Sequence, residues 1–332
     1  MKKEEELTAS QFAQLVSLLR VDDAHQHDIL DAVLTDAGDI DGSGSWALGQ
    51  PRIKSWASLT DDTKFLTLHG HPGTGKSVLS AQIAKFLQLS GQSLVITHFC
   101  TYLYPESTEY RDLLRLFIVQ LIRQSPELIT HAHSELLTQK RTPSWTALEQ
   151  LLGRLLGAAA PFQSQKSFIH LIVDGLHECS DTDQARACKV LQKLVASAPS
   201  PVVLKVLVTT RTEGSVRKSM RGQHEVSLAH EKHHLRNAIQ LYCSRRLEPL
   251  KAKLGLLSFG DDEVTTLRNQ IVDKADGKRP ISPTSIGIIL NVIEGMILWA
   301  KLVLQYIASN LLVSKEEVFQ ASCSFPRELT LL

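Results

Sequence analysis

The stretch Gly70-His71-Pro72-Gly73-Thr74-Gly75-Lys76-Ser77 constrains this chain more than any other. Before it stands the segment Lys64-Phe65-Leu66-Thr67-Leu68-His69, which reads as a short strand ending at Gly70. After it comes SVLSAQIAKFLQLS, in which Val78, Leu79, Ile83, Phe86 and Leu87 share one helical face. A strand, a glycine-rich turn and a helix in that order give G-x-x-x-x-G-K-[S/T] its meaning as a phosphate-binding loop. Glycines let the backbone curl so that several N–H groups face one anion. The helix that follows adds the positive end of its dipole. Lys76 supplies a point charge for the outer phosphates of a nucleoside triphosphate, and the Ser77 hydroxyl is a Mg²⁺ ligand. The candidate nucleotide contacts are Gly70, His71, Pro72, Gly73, Thr74, Gly75, Lys76, Ser77 and Val78.

Phosphate chemistry with Mg²⁺ also needs a carboxylate on a strand beside the loop. Phe168–Val173 is a continuous apolar run with an acid, Asp174, at its end, as expected of a buried parallel strand. Asp174 is the candidate metal residue, acting through a water. Glu178 is the candidate that polarises an attacking water. A second buried strand, Val202–Thr209, runs into Thr210-Arg211. Arg211 there suits bidentate phosphate contact. The plainer readings are a strand-end turn residue, a solvated loop acid and a surface arginine.

Strands at 64–69, 94–99, 168–173 and 202–209 alternate with helical stretches at 77–90, 110–124, 145–157 and 183–197. That alternation predicts a parallel sheet covered on both faces. Helical spacing at 231–247, 262–275 and 296–312 predicts a helical subdomain after it. Residues 7–36 read as a helical lead-in, and DAGDIDGSGS (36–45) as a linker. Basic and acidic residues number 36 and 35, a net charge of +1, so bulk charge makes no case for nucleic acid or an anionic membrane. The 5 cysteines are scattered, with no C-x-x-C pair, and read as reduced thiols of a cytoplasmic protein. No apolar stretch has the length and purity of a transmembrane span.

Together these segments resemble the NACHT branch of the STAND signal-transduction NTPases. They look closest to fungal NLR-like proteins and to the nephrocystin-like N-terminal module. The resemblance is carried by LLRVDDAHQHDIL (18–30), SWALGQPRIKSWAS (45–58), GHPGTGKSVLSAQIAKFL (70–87), LLRLFIVQLIRQSP (113–126), FIHLIVDGLHECS (168–180), LKVLVTTR (204–211), KADG (274–277) and MILWAKLVL (296–304). It implies a five-stranded parallel P-loop core flanked by helices, followed by helical and winged-helix subdomains. The expected division is a lead-in and linker at 1–45, a NACHT core at 46–230, a helical subdomain at 231–325 and the start of a winged helix at 326–332. It also implies a switch: ADP-bound at rest, ATP-bound and self-associated when triggered, in signal transduction and innate immunity. Lys76 and Ser77 then bind phosphate and Mg²⁺, Asp174 is the Mg²⁺-linked acid, Glu178 activates water and Arg211 is the first sensor. Adenine is expected on the resemblance alone, and GTP stays open.

Three departures from the family pattern matter. After the metal-binding acid the family usually carries small–apolar–Asp–Glu, whereas this chain has Gly175-Leu176-His177-Glu178. An imidazole cannot do a carboxylate's work near Mg²⁺, so binding is expected to survive and hydrolysis to be weak. Second, the 18 residues KRPISPTSIGIILNVIEG (278–295) separate KADG from MILWAKLVL. They read either as a retained intron translated in the gene model or as a surface loop, and cDNA sequencing decides. Third, the chain ends at FPRELTLL (325–332), so the expectation is a central engine without winged helix, effector domain or C-terminal repeat sensor.

Other signals carry less. Leu89-Ser90-Gly91-Gln92 matches part of the ABC-transporter signature at the wrong place and reads as a helix end capped by Gly91. Asp273-Lys274-Ala275-Asp276 matches a guanine-reading motif but follows a helical run. The histidines at 131, 133, 230, 233 and 234 lack partners at metal-ligand spacing. Two rival functions stay open: a sustained-turnover ATPase of AAA type, and a degenerate scaffold that binds nucleotide weakly or not at all.

Overall fold

The computed structural model describes residues 2–21, 24–37, 45–137, 143–159, 166–276 and 297–324. The segment at 278–295 and the expected winged-helix start at 326–332 lie outside them. The chain groups into two compact units. One comprises 1–36, 47–69 and 76–226; the other comprises 37–46, 70–75 and 227–332.

The first unit is built on a sheet of strands β1 (Phe65–His69), β2 (Leu94–Phe99), β3 (Ser167–Asp174), β4 (Val202–Thr210) and β5 (His224–Ser227), in the order β2-β3-β4-β1-β5. The pairings of β2 with β3, β3 with β4 and β1 with β4 are all parallel. Its helices are α1 (Lys2–Leu19), α2 (Ala24–Ala37), α3 (Ser45–Gly49), α4 (Pro51–Ala57), α5 (Lys76–Ser90), α6 (Tyr110–Ile122), α7 (Pro126–Leu137), α8 (Trp145–Ala158), α9 (Asp181–Ser197) and α10 (Ser215–Ser219), with α3 straddling the unit boundary. The expected parallel α/β fold is the observed one. Among the elements outside the sequence reading are α7, β5 and the short helices α3, α4 and α10. Pro126 opens α7, where a proline at the first helical position loses no hydrogen bond. β5 is only four residues long and mostly polar.

Every residue of β4 is buried, as is all of β3 beyond Ser167. This is what continuous apolar runs in a doubly covered parallel sheet predict. The main core joins Leu15 and Leu19 of α1 to Phe117, Leu121, Leu152, Leu155 and Leu191, and to Leu171 and Val206 of the sheet. Each such side chain contributes roughly 1.5–3 kcal/mol. Phe86, placed by spacing on the buried face of α5, is 44% exposed, whereas Leu79, Ile83 and Leu87 of the same set are buried, and Ala84 with them. One charge lies inside the sheet. Lys205 of β4 is fully buried, and its Nζ donates to the Trp56 and Ser55 carbonyls at 3.0 and 3.3 Å. It thereby satisfies carbonyls that the end of α4 leaves open.

The outer edge of β2 is closed by side chains. Gln120 of α6 donates to Thr97 O at 2.8 Å and accepts from Thr97 N–H at 3.0 Å. Gln26 of α2 accepts from Phe99 N–H at 2.6 Å and donates to Phe99 O at 3.1 Å. Each amide stands in for a neighbouring strand, so the backbone groups of an edge strand are not left open.

The second unit holds α11 (Lys232–Leu247), α12 (Lys251–Leu256), α13 (Asp261–Ala275), α14 (Ile297–Ser309) and α15 (Lys315–Ser324). Its core is Ile239, Cys243, Leu267, Ile271, Ala300, Leu304, Ile307 and Val318. Arg236 holds Asp273 and Asp276 together. The acids of the set-aside guanine motif are therefore helix-end ion-pair partners. Gly91 at the end of α5 has φ +61°, the left-handed cap that the sequence called for. Among the described residues no helix is long and apolar enough to cross a membrane.

Candidate functional site

The registers bring the strand ends level. His69 of β1 is opposite Thr210 of β4, Val173 of β3 opposite Val208, and Phe99 of β2 opposite Asp174. In open α/β sheets, ligands bind outside these carboxyl ends. The residues singled out by the sequence lie there for a topological reason: each follows a parallel strand.

Asp174 ends β3 and is buried. Its Oδ1 accepts from Ser80 Oγ of α5 at 2.9 Å and from Thr209 Oγ1 of β4 at 2.7 Å. Thr209 Oγ1 in turn accepts the Gly175 N–H at 2.8 Å. One hydroxyl thus fixes both the carboxylate and the turn after it. Gly175 has φ +70°, and a Cβ there would stand 2.7 Å from the Cys100 carbonyl oxygen. The position demands glycine for both conformation and space.

Lys76 is the first residue of α5 and is 8% exposed. Burial lowers its ammonium to about 8; Asp174 and Glu178 raise it, and Arg211 lowers it further. Ser77, next to it, is exposed at the helix N-terminus. Glu178 accepts the Tyr102 N–H on Oε2 at 3.1 Å. Burial pushes its carboxyl up to about 6 and the Asp174 charge adds to this, against Tyr102 N–H, Arg211 and Lys76. Arg211 lies exposed just past β4, within electrostatic reach of Lys76, His177 and Glu178. His177 is half-buried. Burial, then the Lys76 and Arg211 charges, hold its imidazole down at about 4, so it is neutral at pH 7. Its buried Nδ1 has no hydrogen-bond partner among the described residues.

The loop 70–75 has its own internal geometry. Thr74 Oγ1 donates to the His71 carbonyl at 2.8 Å. Gly73 and Gly75 have φ +78° and +84°, and a Cβ on Gly70 would meet Thr74 Oγ1 at 2.8 Å. Glycine is required at all three positions. Within the second unit, the start of α14 reaches this loop. Leu298 N–H donates to Gly73 O at 3.4 Å, and Ile297 Cδ1 would touch a Cβ on Gly75 at 2.9 Å. Ile297 opens α14 within the stretch MILWAKLVL, singled out by resemblance.

These features fit a phosphate group with Mg²⁺. Lys76 is a buried cation at the start of α5, with the Asp174 and Glu178 carboxylates within electrostatic reach. His177 carries a buried, unanswered nitrogen beside it. Asp174 is clamped through one oxygen. Among the described residues no cluster of three or more His, Cys, Asp or Glu forms a metal cage.

Sequence reasoning missed Ser80, Thr209's clamp, Tyr102 and Gln26. It also missed that Cys100 and Cys179 meet, with sulfurs 3.6 Å apart and both buried. Contact with Cys179 and burial together hold the Cys100 thiol well above its ordinary range.

The sequence profile of the family described as nephrocystin 3, N-terminal, matches residues 42–211. That span takes in the glycine loop, Asp174 and Glu178, and ends on Arg211. No curated protein matches the chain. Among solved structures it is similar to Cdc6p from Pyrobaculum aerophilum, with 15% identity over 87% of this chain and 66% of that one and a TM-score of 0.45. It is similar to PCH-2 from C. elegans, with 13% identity over 94% and 70% and a TM-score of 0.38. It is also similar to RIF2 from Saccharomyces cerevisiae, with 10% identity over 88% and 91% and a TM-score of 0.33. The chain thus spans 66% of the length of Cdc6p, and likenesses at these identities concern the fold alone.

Proposed function

The chain belongs to the nephrocystin 3 N-terminal family, and from that premise we propose that it is a Mg²⁺-dependent nucleotide switch of the NACHT/STAND type, binding ATP and ADP and hydrolysing slowly. The observation that carries the reading is the Asp174 clamp: a buried carboxylate held by Ser80 and Thr209 beside the buried Lys76. Lys76 and the backbone of Gly70–Gly75 would hold the phosphates, and Ser77 and Asp174 the metal. Bound Mg²⁺ would neutralise charge on the phosphate oxygens.

Glu178 Oε2 is occupied by the Tyr102 N–H, which leaves Oε1 to take a proton from water. A carboxyl raised to about 6 is still ionised at pH 7 and is a stronger base than an ordinary glutamate. Arg211, exposed just past β4, would read the terminal phosphate as a cation. Neutral His177, where the family usually has an acid, supports slow turnover and a switch rather than a motor. Adenine specificity, self-association in the triphosphate state and a role in signalling rest on the family resemblance.

A thermal-shift series with ATP, ADP and GTP, each with and without Mg²⁺, tests the reading. A ligand at 100 times its Kd adds about 2.7 kcal/mol. Melting points unmoved by every nucleotide would remove it. Steady-state phosphate release then separates switch from motor: turnover well above one per minute, on the order of the 1–10³ per second of ordinary enzymes, favours the motor.

A further inference from the structure

The two glutamines that close the edge of β2 make the same pair of bonds but are differently placed. Gln120 sits on α6, within the main core. Gln26 is 5% exposed and comes from the second helix of the N-terminal pair, 73 residues from its partner. Its partner, Phe99, is the last residue of β2. The next residue, Cys100, donates its N–H to Asp174 O at 2.9 Å. Thr101 N–H then donates to Ser107 Oγ at 2.9 Å, and that hydroxyl donates back to Thr101 O at 3.1 Å, closing a turn. Within that turn Tyr102 N–H holds Glu178. Four consecutive residues therefore carry the grip of α2 at one end and the grip on Glu178 at the other.

α2 also packs Leu30 against Phe99 and against Ala81 of α5, the helix that begins with Lys76. The seam between α2 and the turn borders a pocket open to solvent. A cavity of about 280 Å³ lies there, lined by His25, Gln26, Tyr104, Glu106, Ser107 and Asp112. The His25 ring stacks on Tyr104 at 4.4 Å. A segment bordered by solvent on one side shifts at lower cost than one in a filled core. The Gln26 amide is the polar clamp at the strand end of this seam.

We propose that Gln26 is a positioning residue: through Phe99 it fixes the turn 101–107 and so the Glu178 carboxylate, which puts turnover under the control of the N-terminal helix pair. The inference rests on the reading of Glu178 as the water-activating residue. Displacing α2 frees Phe99 N–H and C=O, loosens the turn and moves Glu178, while the phosphate loop and Asp174 keep their own supports.

The test uses the full chain with Gln26→Met and Gln120→Met, which keep side-chain length and remove the two bonds. A neutral hydrogen bond is worth about threefold to tenfold in an equilibrium. Hydrogen exchange of segments 99–107 and 175–180 accelerates by about that factor in Gln26→Met. In Gln120→Met the acceleration is confined to 94–98. Phosphate release by Gln26→Met falls in kcat by a similar factor with KM unchanged, whereas Gln120→Met loses stability only. Exchange altered only within 24–37, or altered alike by both variants at 101–107 and 175–180, overturns the proposal. A wild-type chain that binds nucleotide but releases no phosphate defeats the reading of Glu178, and the exchange data still decide whether Gln26 holds the turn.

Discussion

Thr209→Val removes one oxygen and keeps the shape of the side chain, which makes it the sharpest probe of the site. Thr209 Oγ1 donates to Asp174 Oδ1 at 2.7 Å and accepts the Gly175 N–H at 2.8 Å. The threonine is fully buried, so no water replaces it. Losing a hydrogen bond to a charged acceptor costs about 1.5–3 kcal/mol, and orphaning a buried N–H costs about 1–3 kcal/mol more. Ser80 still holds Asp174, which keeps the total near the low end, about 3 kcal/mol. For a unit of this size each kcal/mol lowers Tm by roughly 2–4 °C, so a drop of about 6–12 °C is expected. Thr209→Ser keeps the oxygen and loses a methyl worth about 0.8 kcal/mol. The assay is urea unfolding of wild type and both variants, with hydrogen exchange of β3 and β4 as the local readout. The Mg²⁺-dependent part of nucleotide binding should fall in the valine variant only. A valine variant within about 0.5 kcal/mol of wild type, the usual range for inconsequential surface changes, refutes the clamp. So does a serine variant as unstable as the valine one.

Other outcomes follow from the same geometry. His98 and His170 are fully buried, and burial lowers both to about 4 from an ordinary 6.5. Below pH 6.5 the unfolded chain binds protons that the folded one refuses. Stability therefore falls as pH drops from 6.5 to 4, by up to about 3 kcal/mol per histidine. Glu178, raised to about 6, works the other way between pH 6 and 4.5 but is only partly buried, so net acid destabilisation is expected; unfolding free energies equal at pH 7 and pH 4.5 would contradict it. Gly175→Ala puts a Cβ 2.7 Å from the Cys100 oxygen at φ +70° and should cost about 2–4 kcal/mol in a thermal melt, the left-handed conformation alone accounting for roughly 1–2. Because Lys76 sits at about 8 in the folded chain and a phosphate partner raises it, triphosphate binding above pH 8 takes up a proton. Calorimetry at pH 8.5 in two buffers of different ionisation heat shows that uptake, and identical heats would argue against Lys76 as the phosphate contact.

What the sequence made legible depended on local pattern. The glycine loop, the apolar strand ending in Asp174 and the run into Arg211 are each contiguous, and a parallel sheet sets such strand ends side by side. The clamp was not legible, because its bonds join distant residues. Ser80 and Asp174 are 94 apart, Thr209 and Asp174 35, and Tyr102 and Glu178 76. Ser80 lies one helical turn after Ser77, and only the register of α5 on the sheet turns it toward Asp174. Gln26 and Gln120 look like solvated polar residues on their helices until β2 is known to be an edge. The helix that Pro126 opens was not legible, because proline both breaks helices and starts them. Phe86 misled because spacing alone does not say where an apolar face ends.

Isothermal titration of Mg²⁺–ATP into the full chain, set beside Lys76→Ala, tests the central claim most directly. Wild type should bind one nucleotide per chain. Loss of the lysine should weaken binding by about tenfold to a hundredfold, the worth of a charged hydrogen bond. No heat from wild type, or equal affinity in the two proteins, would contradict the account.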